Sequence, residues 1–521
     1  MNHLERQLGN RMPSKPTNRQ LVDTRNRWRW RAWRTEAAFA VATLALCLTW
    51  LLGITLRARL WTVDIEIVRF SGVSQVFGRQ VSDMMEVGFV IAVATVLYLL
   101  CLRALRKGFR HSYAAAIVAT VLGCLSFLPS VALTSPDAVH LAADVRTFWL
   151  HGKLPITFDA APAKIDDPVA REVRVFKDNP SGYGPVAYAV GGAPIPFVGD
   201  GLRANLFGQK VVAAVFLVIT AALGGLVAKQ IGGNAGLVTG LIGLNPLMLW
   251  QFPGDGHNDS LMAALGVAAL LLVTRPGWRQ RGGGAGLAVA SIFSKFGLVL
   301  ASPVLGAYWF PRWRKHMAGF VALLAVIAFV VFTFRLWPGV GTVGPASAIA
   351  TTTPWGVLAD WMNAQGDARA ALVGASYALF FVFLAYIVAN HRLLDAQDLV
   401  TAFATAMFLF LFVCSPGYLP WYQIWYLPFA MISGRRWLVV TSIVFSVGAF
   451  LPILAINWSG AIQSQMHITN PLNKAVLAMY LTVAVVAIVL QRSDRNRERI
   501  AEQRAGRPAT VPRRQRIRGR A

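Results

Sequence analysis

Residues 283–310 read GGAGLAVASIFSKFGLVLASPVLGAYWF, an apolar run of 28 positions interrupted by one charge, Lys295. As a single helix it would be about 42 Å long, well beyond the roughly 30 Å hydrocarbon core of a bilayer. Basic clusters flank both ends, Arg279 and Arg281 before it and Arg312, Arg314 and Lys315 after it. Clusters of this kind stay on the cytoplasmic side, so both ends of the run belong to the same face of a membrane. A broken V of two short helices with its apex at Ser294–Gly297 meets both constraints, because interrupted backbone is tolerated at membrane depth where it lines a cavity. Residues 415–433 follow the same logic: Ser-Pro-Gly-Tyr-Leu-Pro precedes a short apolar run that returns to Arg435.

The composition around this stretch agrees. Of 521 residues 55% are apolar and only 14% charged, where a soluble domain carries about 25%. That balance excludes a soluble enzyme, a coiled coil and a disordered chain. More than half of the net charge of +26 lies in residues 1–34 and 491–521, as expected of cytoplasmic flanks, so no nucleic-acid partner is expected. The alternation of Arg and Trp from Arg27 to Arg34 reads as an anchor on anionic membrane lipids. Cys47, Cys101, Cys124 and Cys414 each lie in or at the end of an apolar run, without metal-ligand spacing, and read as core thiols. The first apolar run follows a long basic tail and has full spanning length, which predicts a signal anchor and not a cleaved leader.

Length and apolarity place spans at about 37–56, 87–105, 112–133, 206–228, 234–250, 258–274, 317–337, 369–390, 397–414, 437–456 and 473–490. With the re-entrant runs, this predicts an all-α polytopic membrane protein of 12 to 14 transmembrane or re-entrant helices, with amphipathic helices in a large first outer loop. Arg103, Arg106, Lys107 and Arg110, then Arg275, Arg279 and Arg281, then Arg435 and Arg436 all become cytoplasmic if the N-terminus is inside. The expected organisation is a basic cytoplasmic tail (1–36), a transmembrane domain (37–490) carrying an extracytoplasmic loop (134–205), and a second basic cytoplasmic tail (491–521). The location that follows is the plasma (inner) membrane, with both termini cytoplasmic.

The charges that break the apolar pattern are the candidate site. Asp137, His140 and Asp144 open the outer loop at i, i+3 and i+7, on one face of a helix. A carboxylate shielded at a bilayer edge can serve as general base toward a hydroxyl, whereas a solvated helix face is the plainer alternative. Gly254–Asp259 places Asp255, His257, Asn258 and Asp259 together beside apolar helices, and Asn258 or Asp259 is also a natural helix cap. Lys295, in the middle of its apolar run, suits an anionic group such as phosphate. Tyr418 to Pro428 frames Trp421, Tyr422 and Trp425 between prolines, as a substrate-facing wall or an interfacial belt.

In this order the stretches resemble the integral-membrane C superfamily of glycosyltransferases (GT-C), and within it the bacterial polyprenol-phosphate-mannose-dependent mannosyltransferases. The resemblance rests on Ser135-Pro136-Asp137 opening the outer loop and on Tyr183-Gly184-Pro185. It continues in Gly256-His257-Asn258-Asp259, in Lys295 ahead of Pro303, and in Pro420-Trp421-Tyr422 with Trp425 and Pro428. It implies transfer of a sugar, mannose above all, from a polyprenyl-phosphate donor to a glycolipid or glycan acceptor at the outer face. The family's loop acid carries over to Asp137 as general base. The aromatic residue that follows this acid in the family is replaced here by Ala138, Val139 and His140, which keeps Asp144 open as the base or as a partner acid. His140, Tyr183, His257, Asn258, Asp259, Lys295, Trp421, Tyr422 and Trp425 are the expected substrate-binding residues. No cofactor is expected; a divalent metal held by Asp137, Asp144, His257 or Asp259 is the less favoured alternative. A secondary transporter or lipid flippase is the competing reading, motivated by the broken helices and Lys295.

Overall fold

The computed structural model describes residues 18–70, 72–333, 352–391 and 393–504. It is helical throughout and contains no strand among the described residues. The main helices are α1 (Asn18–Trp50), α2 (Val81–Lys107), α3 (Ser112–Phe127), α4 (Asp137–His151), α5 (Leu202–Gln230), α6 (Ala235–Gly243), α7 (Pro246–Leu249) and α8 (Asp259–Val273). They continue as α9 (Trp278–Ser294), α10 (Ser302–Trp309), α11 (Arg314–Thr333), α12 (Gly366–Asn390), α13 (Ala396–Leu409), α14 (Arg436–Gly448), α15 (Phe450–Asn457) and α16 (Pro471–Arg504). Among the described residues eight helices are long and apolar enough to cross a membrane, and nine if one bent pair counts as a single span. Three shorter apolar helices, Ser112–Phe127, Asp259–Val273 and Phe296–Trp309, accompany them. The protein is therefore an all-α polytopic membrane protein.

One departure from the expected spans has a local cause. The run read as one span over 234–250 is two helices meeting at 52°. The Asn245 side chain accepts from the N–H groups of Leu247 and Met248 and Pro246 takes the first helical position, so a new helix starts where apolarity alone shows continuity. The span read over 317–337 is described through Thr333, and residues 334–351 lie outside the described residues. The tails up to 17 and from 505 lie outside them as well, as do the side chains of the Arg27–Arg34 anchor up to Ala32.

The break expected near residues 294–297 falls at Lys295. Its φ of −162° and ψ of 137° end α9, and a 3-10 turn over Phe296–Ala301 leads into α10. The carbonyl freed at Ser294 accepts from the backbone N–H of Gly184 at 2.9 Å, which removes the cost of an orphaned polar group at depth.

Large aliphatic and aromatic side chains on α1, α2 and α16 face outward, among them Val41, Leu44, Phe89, Val96, Leu481 and Val485. A belt of this kind is stable only against lipid. Inside, Trp50, Phe127, Trp250 and Phe450 pack edge to face with centroids 4.9–6.1 Å apart and join α1, α3 and α15 to the bent pair. The loop after α3 is ordered around Arg146. Its guanidinium donates to both oxygens of Asp167 at 3.0 Å, to Asp200 at 2.5 Å and to the Gly199 carbonyl at 2.8 Å. One buried fork thus ties α4 to the middle and the far end of the loop, with Asp167 held below its usual range by hydrogen bonds from Arg146 and neighbouring groups against the opposing effect of burial.

Candidate active site

The site is assembled from the end of α3 upward. Lys210, buried on α5, donates to the Phe127 carbonyl at 3.3 Å, to the Ser130 hydroxyl at 3.1 Å and to the Ser130 carbonyl. It thereby adds a charged donor to the Phe127 carbonyl, which also accepts from the Ser130 N–H and hydroxyl, and supplies one to the Ser130 carbonyl. The chain then turns, and Asp255 accepts from the N–H groups of Leu133 at 2.5 Å and Thr134 at 3.2 Å and from the Thr134 hydroxyl. Gln251 reaches the same hydroxyl at 3.3 Å. This turn delivers Pro136 and Asp137 as the start of α4, where the Asp137 N–H donates to the Ser135 hydroxyl at 3.1 Å. Gly256 takes a φ of +82°, which residues with a side chain rarely adopt, and a Cβ there would lie 3.1 Å from Lys210 Cγ.

Asp137 lies within electrostatic range of Lys295, His140 and Asp259. Burial raises its carboxyl above the usual range, an effect that Lys295 and His140 reduce but do not cancel. One turn on, His140 Nδ1 lies 3.0 Å from Asp144 Oδ2, and its Nε2 lies 3.3 Å from the Phe176 carbonyl. Burial opposes protonation of this imidazole, but the Asp144 carboxylate outweighs it and lifts the group above its ordinary value. The two acids of α4 therefore differ: Asp144 is fully buried and held by His140, while Asp137 is half-buried and within electrostatic range of Lys295 and Asp259.

Lys295 projects from the break between α9 and the following turn. Its ammonium sits 2.8 Å and 2.9 Å from the two carboxylate oxygens of Asp259. It also lies 4.5 Å from the ring centroid of Tyr183, 5.2 Å from that of Tyr422 and 5.8 Å from that of Trp425. Three aromatic faces around one cation stabilise its charge where water is scarce. Trp425 Nε1 donates to Asp259 at 2.7 Å. The cation expected to stand alone is therefore half of an ion pair with a fully buried carboxylate. Asp259, expected as a possible helix cap, spends its oxygens on Lys295 and Trp425, and the Asn258 side chain makes no cap bond either.

His257 stacks on Trp421 with centroids 3.8 Å apart and planes at 17°. Burial and the nearby Lys295 hold its imidazole well below its ordinary value, hence neutral, so the positive charge of the site comes from Lys295. Both ring nitrogens of His257, both side-chain polar atoms of Asn258, and Asp144 Oδ1 are buried without a protein partner. Unpaired donors and acceptors in such a place are suited to hydroxyl groups of a polar ligand.

The structure thus gathers the residues singled out in the sequence. Asp137, His140 and Asp144 come from α4, Tyr183 from the loop, His257 to Asp259 from the start of α8, Lys295 from the broken helix and Trp421 to Trp425 from a 3-10 turn. One supporting residue, Lys210, lies outside the sequence reading, and so does the role of a second, Asp255. Lys210 is a lone cation in an apolar span, the signal already used for Lys295. Asp255 was read with its neighbours as part of a cluster, and only its bonds to Leu133 and Thr134 show that it supports the turn before Asp137. Among the described residues no three His, Cys, Asp or Glu side chains gather closely enough to hold a metal ion.

Comparison with known proteins bears on this arrangement. The family described as alpha-(1->6)-mannopyranosyltransferase, N-terminal domain, matches residues 39–311, just over half of the chain. Alpha-(1->6)-mannopyranosyltransferase A of Corynebacterium glutamicum is 25% identical over 192 residues, which is 36% of this chain and 37% of that relative. The match thus spans little more than a third of the relative's length. No solved structure matches.

Proposed function

We propose that this chain, which belongs to the alpha-(1->6)-mannopyranosyltransferase family, moves a mannosyl unit from a polyprenyl-phosphate donor to a hydroxyl of a glycolipid or glycan acceptor. The observation that carries this reading is the placement of the Asp137 carboxyl within electrostatic range of the Lys295 ammonium, beside Tyr183, Tyr422 and Trp425. A base and a cation side by side suit a displacement in which one group loses a proton and the other leaves as an anion.

In the proposed step the acceptor oxygen attacks the anomeric carbon while the bond from that carbon to the phosphate oxygen breaks. The bonding pair leaves with polyprenyl phosphate, and the acceptor proton passes to Asp137. A single displacement inverts configuration at the anomeric carbon. Lys295 takes the phosphate charge, and Asp259 with Trp425 holds the ammonium in place. Burial makes Asp137 a stronger base than an exposed aspartate. His140, oriented by Asp144, stands behind it and adds a positive field when protonated. His257, neutral and stacked on Trp421, and Asn258 offer unpaired polar atoms to sugar hydroxyls. The donor chain would lie among the apolar helices below Lys295. No metal or other cofactor enters this scheme.

The proposed setting is the plasma membrane, with the site at its outer face, both termini cytoplasmic, the transferase domain over 37–490 and the catalytic loop over 134–205. Basic clusters after α2 and α8 and before α14 support that orientation. The test is incubation of membranes containing the protein with polyprenyl-phosphate mannose radiolabelled in the sugar. Label should move to a glycolipid or glycan with the wild type and not with Asp137→Asn. Near-normal transfer by that variant, or no transfer from the lipid donor by the wild type, overturns the reading.

A further inference from the structure

Away from the site, α1 and α2 enclose an open groove of about 990 Å³. Its α1 wall is Arg34 followed by Ala37, Ala38, Ala42 and Ala45, a spacing that keeps all five on one helical face. Its α2 wall is Leu97, Leu100 and Ala104, ending at Arg103 and Lys107. Three cations therefore stand at one end of a trough floored by small and aliphatic side chains, and no carboxylate lines it among the described residues. Arg103 and Lys107 are exposed and have no hydrogen-bond or ion-pair partner among the described residues.

Arg34 to Ala45 and Leu97 to Lys107 each rise about 15–17 Å at 1.5 Å per residue. That is one leaflet, half of a hydrocarbon core of roughly 30 Å. We infer that the groove holds one anionic glycerophospholipid of the surrounding membrane, its phosphate against Arg34, Arg103 and Lys107 and an acyl chain along the alanine wall. The charge selects this occupant. A zwitterionic lipid gains less from three cations than an anionic one does. Leaflet-length apolar walls under a cationic rim match a lipid and have no counterpart in a soluble anion. The inference rests on the fold alone and is independent of the transfer reaction.

The experiment is native mass spectrometry of the full-length protein in detergent, titrated separately with phosphatidylglycerol and phosphatidylcholine. The wild type should retain one phosphatidylglycerol in preference to phosphatidylcholine. Arg103→Glu with Lys107→Glu should weaken that retention about tenfold or more, given the contribution of each basic residue near an anionic headgroup. Ala38→Phe, at an exposed position, should weaken it by filling the trough while leaving every charge in place. Arg279→Glu with Arg281→Glu, in a separate basic cluster, should leave it unchanged. Equal retention of phosphatidylcholine, wild-type retention by Ala38→Phe, or an equal loss in the Arg279/Arg281 variant each overturns the inference. Circular dichroism identifies a charge-reversed variant that has failed to fold, in which case Ala38→Phe decides.

Discussion

Lys295 and Asp259, 36 positions apart in the chain, face each other with the ammonium 2.8 and 2.9 Å from the two carboxylate oxygens. The Lys295 side chain is only 14% exposed and that of Asp259 not at all. Removing one member of such a pair leaves the other charge buried, at a cost of about 3–5 kcal/mol. Lys295→Met should therefore lower the melting temperature and abolish use of the phosphate donor. Adding Asp259→Asn, which keeps an acceptor for Trp425, should restore most of the lost stability and none of the transfer. Recovery of transfer in the double variant would show that Lys295 is not needed for the phosphate.

The two acids of α4 should separate in kinetics. Asp137→Asn should lower kcat by about 100-fold or more, the range expected for loss of a general base, without loss of stability, because it removes a charge that burial disfavours. Asp144→Asn should retain measurable transfer, since it disturbs the partner of His140 and leaves the Asp137 carboxyl in place. If Asp144→Asn is the dead variant and Asp137→Asn the active one, the roles are exchanged.

A pH profile tests the same assignment. Burial raises the Asp137 carboxyl above the carboxylate range while Lys295 lowers it. A base works only when deprotonated, so transfer should fall as pH drops through that raised value, above the ordinary aspartate value of about 3.9. A variant such as Lys295→Gln, which removes the lowering cation, should move the acidic limb of any residual activity to higher pH. A shift to lower pH, or none, contradicts the proximity of the two groups.

Asp255 acts through the turn it holds. Asp255→Asn replaces a carboxylate that accepts two backbone N–H bonds and the Thr134 hydroxyl, and should cost about 2 kcal/mol. Because Asp137 begins three residues after Thr134, the loss should appear mainly in kcat, with the KM for the donor nearly unchanged. A large rise in KM with kcat preserved would place Asp255 at the substrate instead.

Gly184 is tight for a steric reason. A Cβ there would overlap the backbone carbonyl of Phe293, next to the bond from Gly184 N–H to Ser294. Gly184→Ala should destabilise the protein by about 1–3 kcal/mol and weaken donor binding by shifting Tyr183 off Lys295. Wild-type melting and donor KM would show that the loop adjusts freely.

Much of the architecture was legible in the chain because the property that makes a membrane span is local. Twenty apolar residues form a helix wherever water is absent, and basic flanks mark their ends without reference to the rest of the fold. The break at Lys295 could be read for the same reason, from length and flanking charge. The bend at Asn245-Pro246 was missed because apolarity is blind to it, although its cap and proline are also local signals.

What the sequence determined by itself is therefore the class of the fold, the positions of the spans and the short set of polar residues worth attention. Only the tertiary structure decided how those residues are partnered. It set Lys295 against Asp259, gave Asp144 to His140, left Asp137 within electrostatic range of the cation, and placed Lys210 and Asp255 beneath the turn that carries Asp137. The physical reason is that hydrogen bonds and ion pairs between residues tens of positions apart depend on helix packing, which no window of sequence contains.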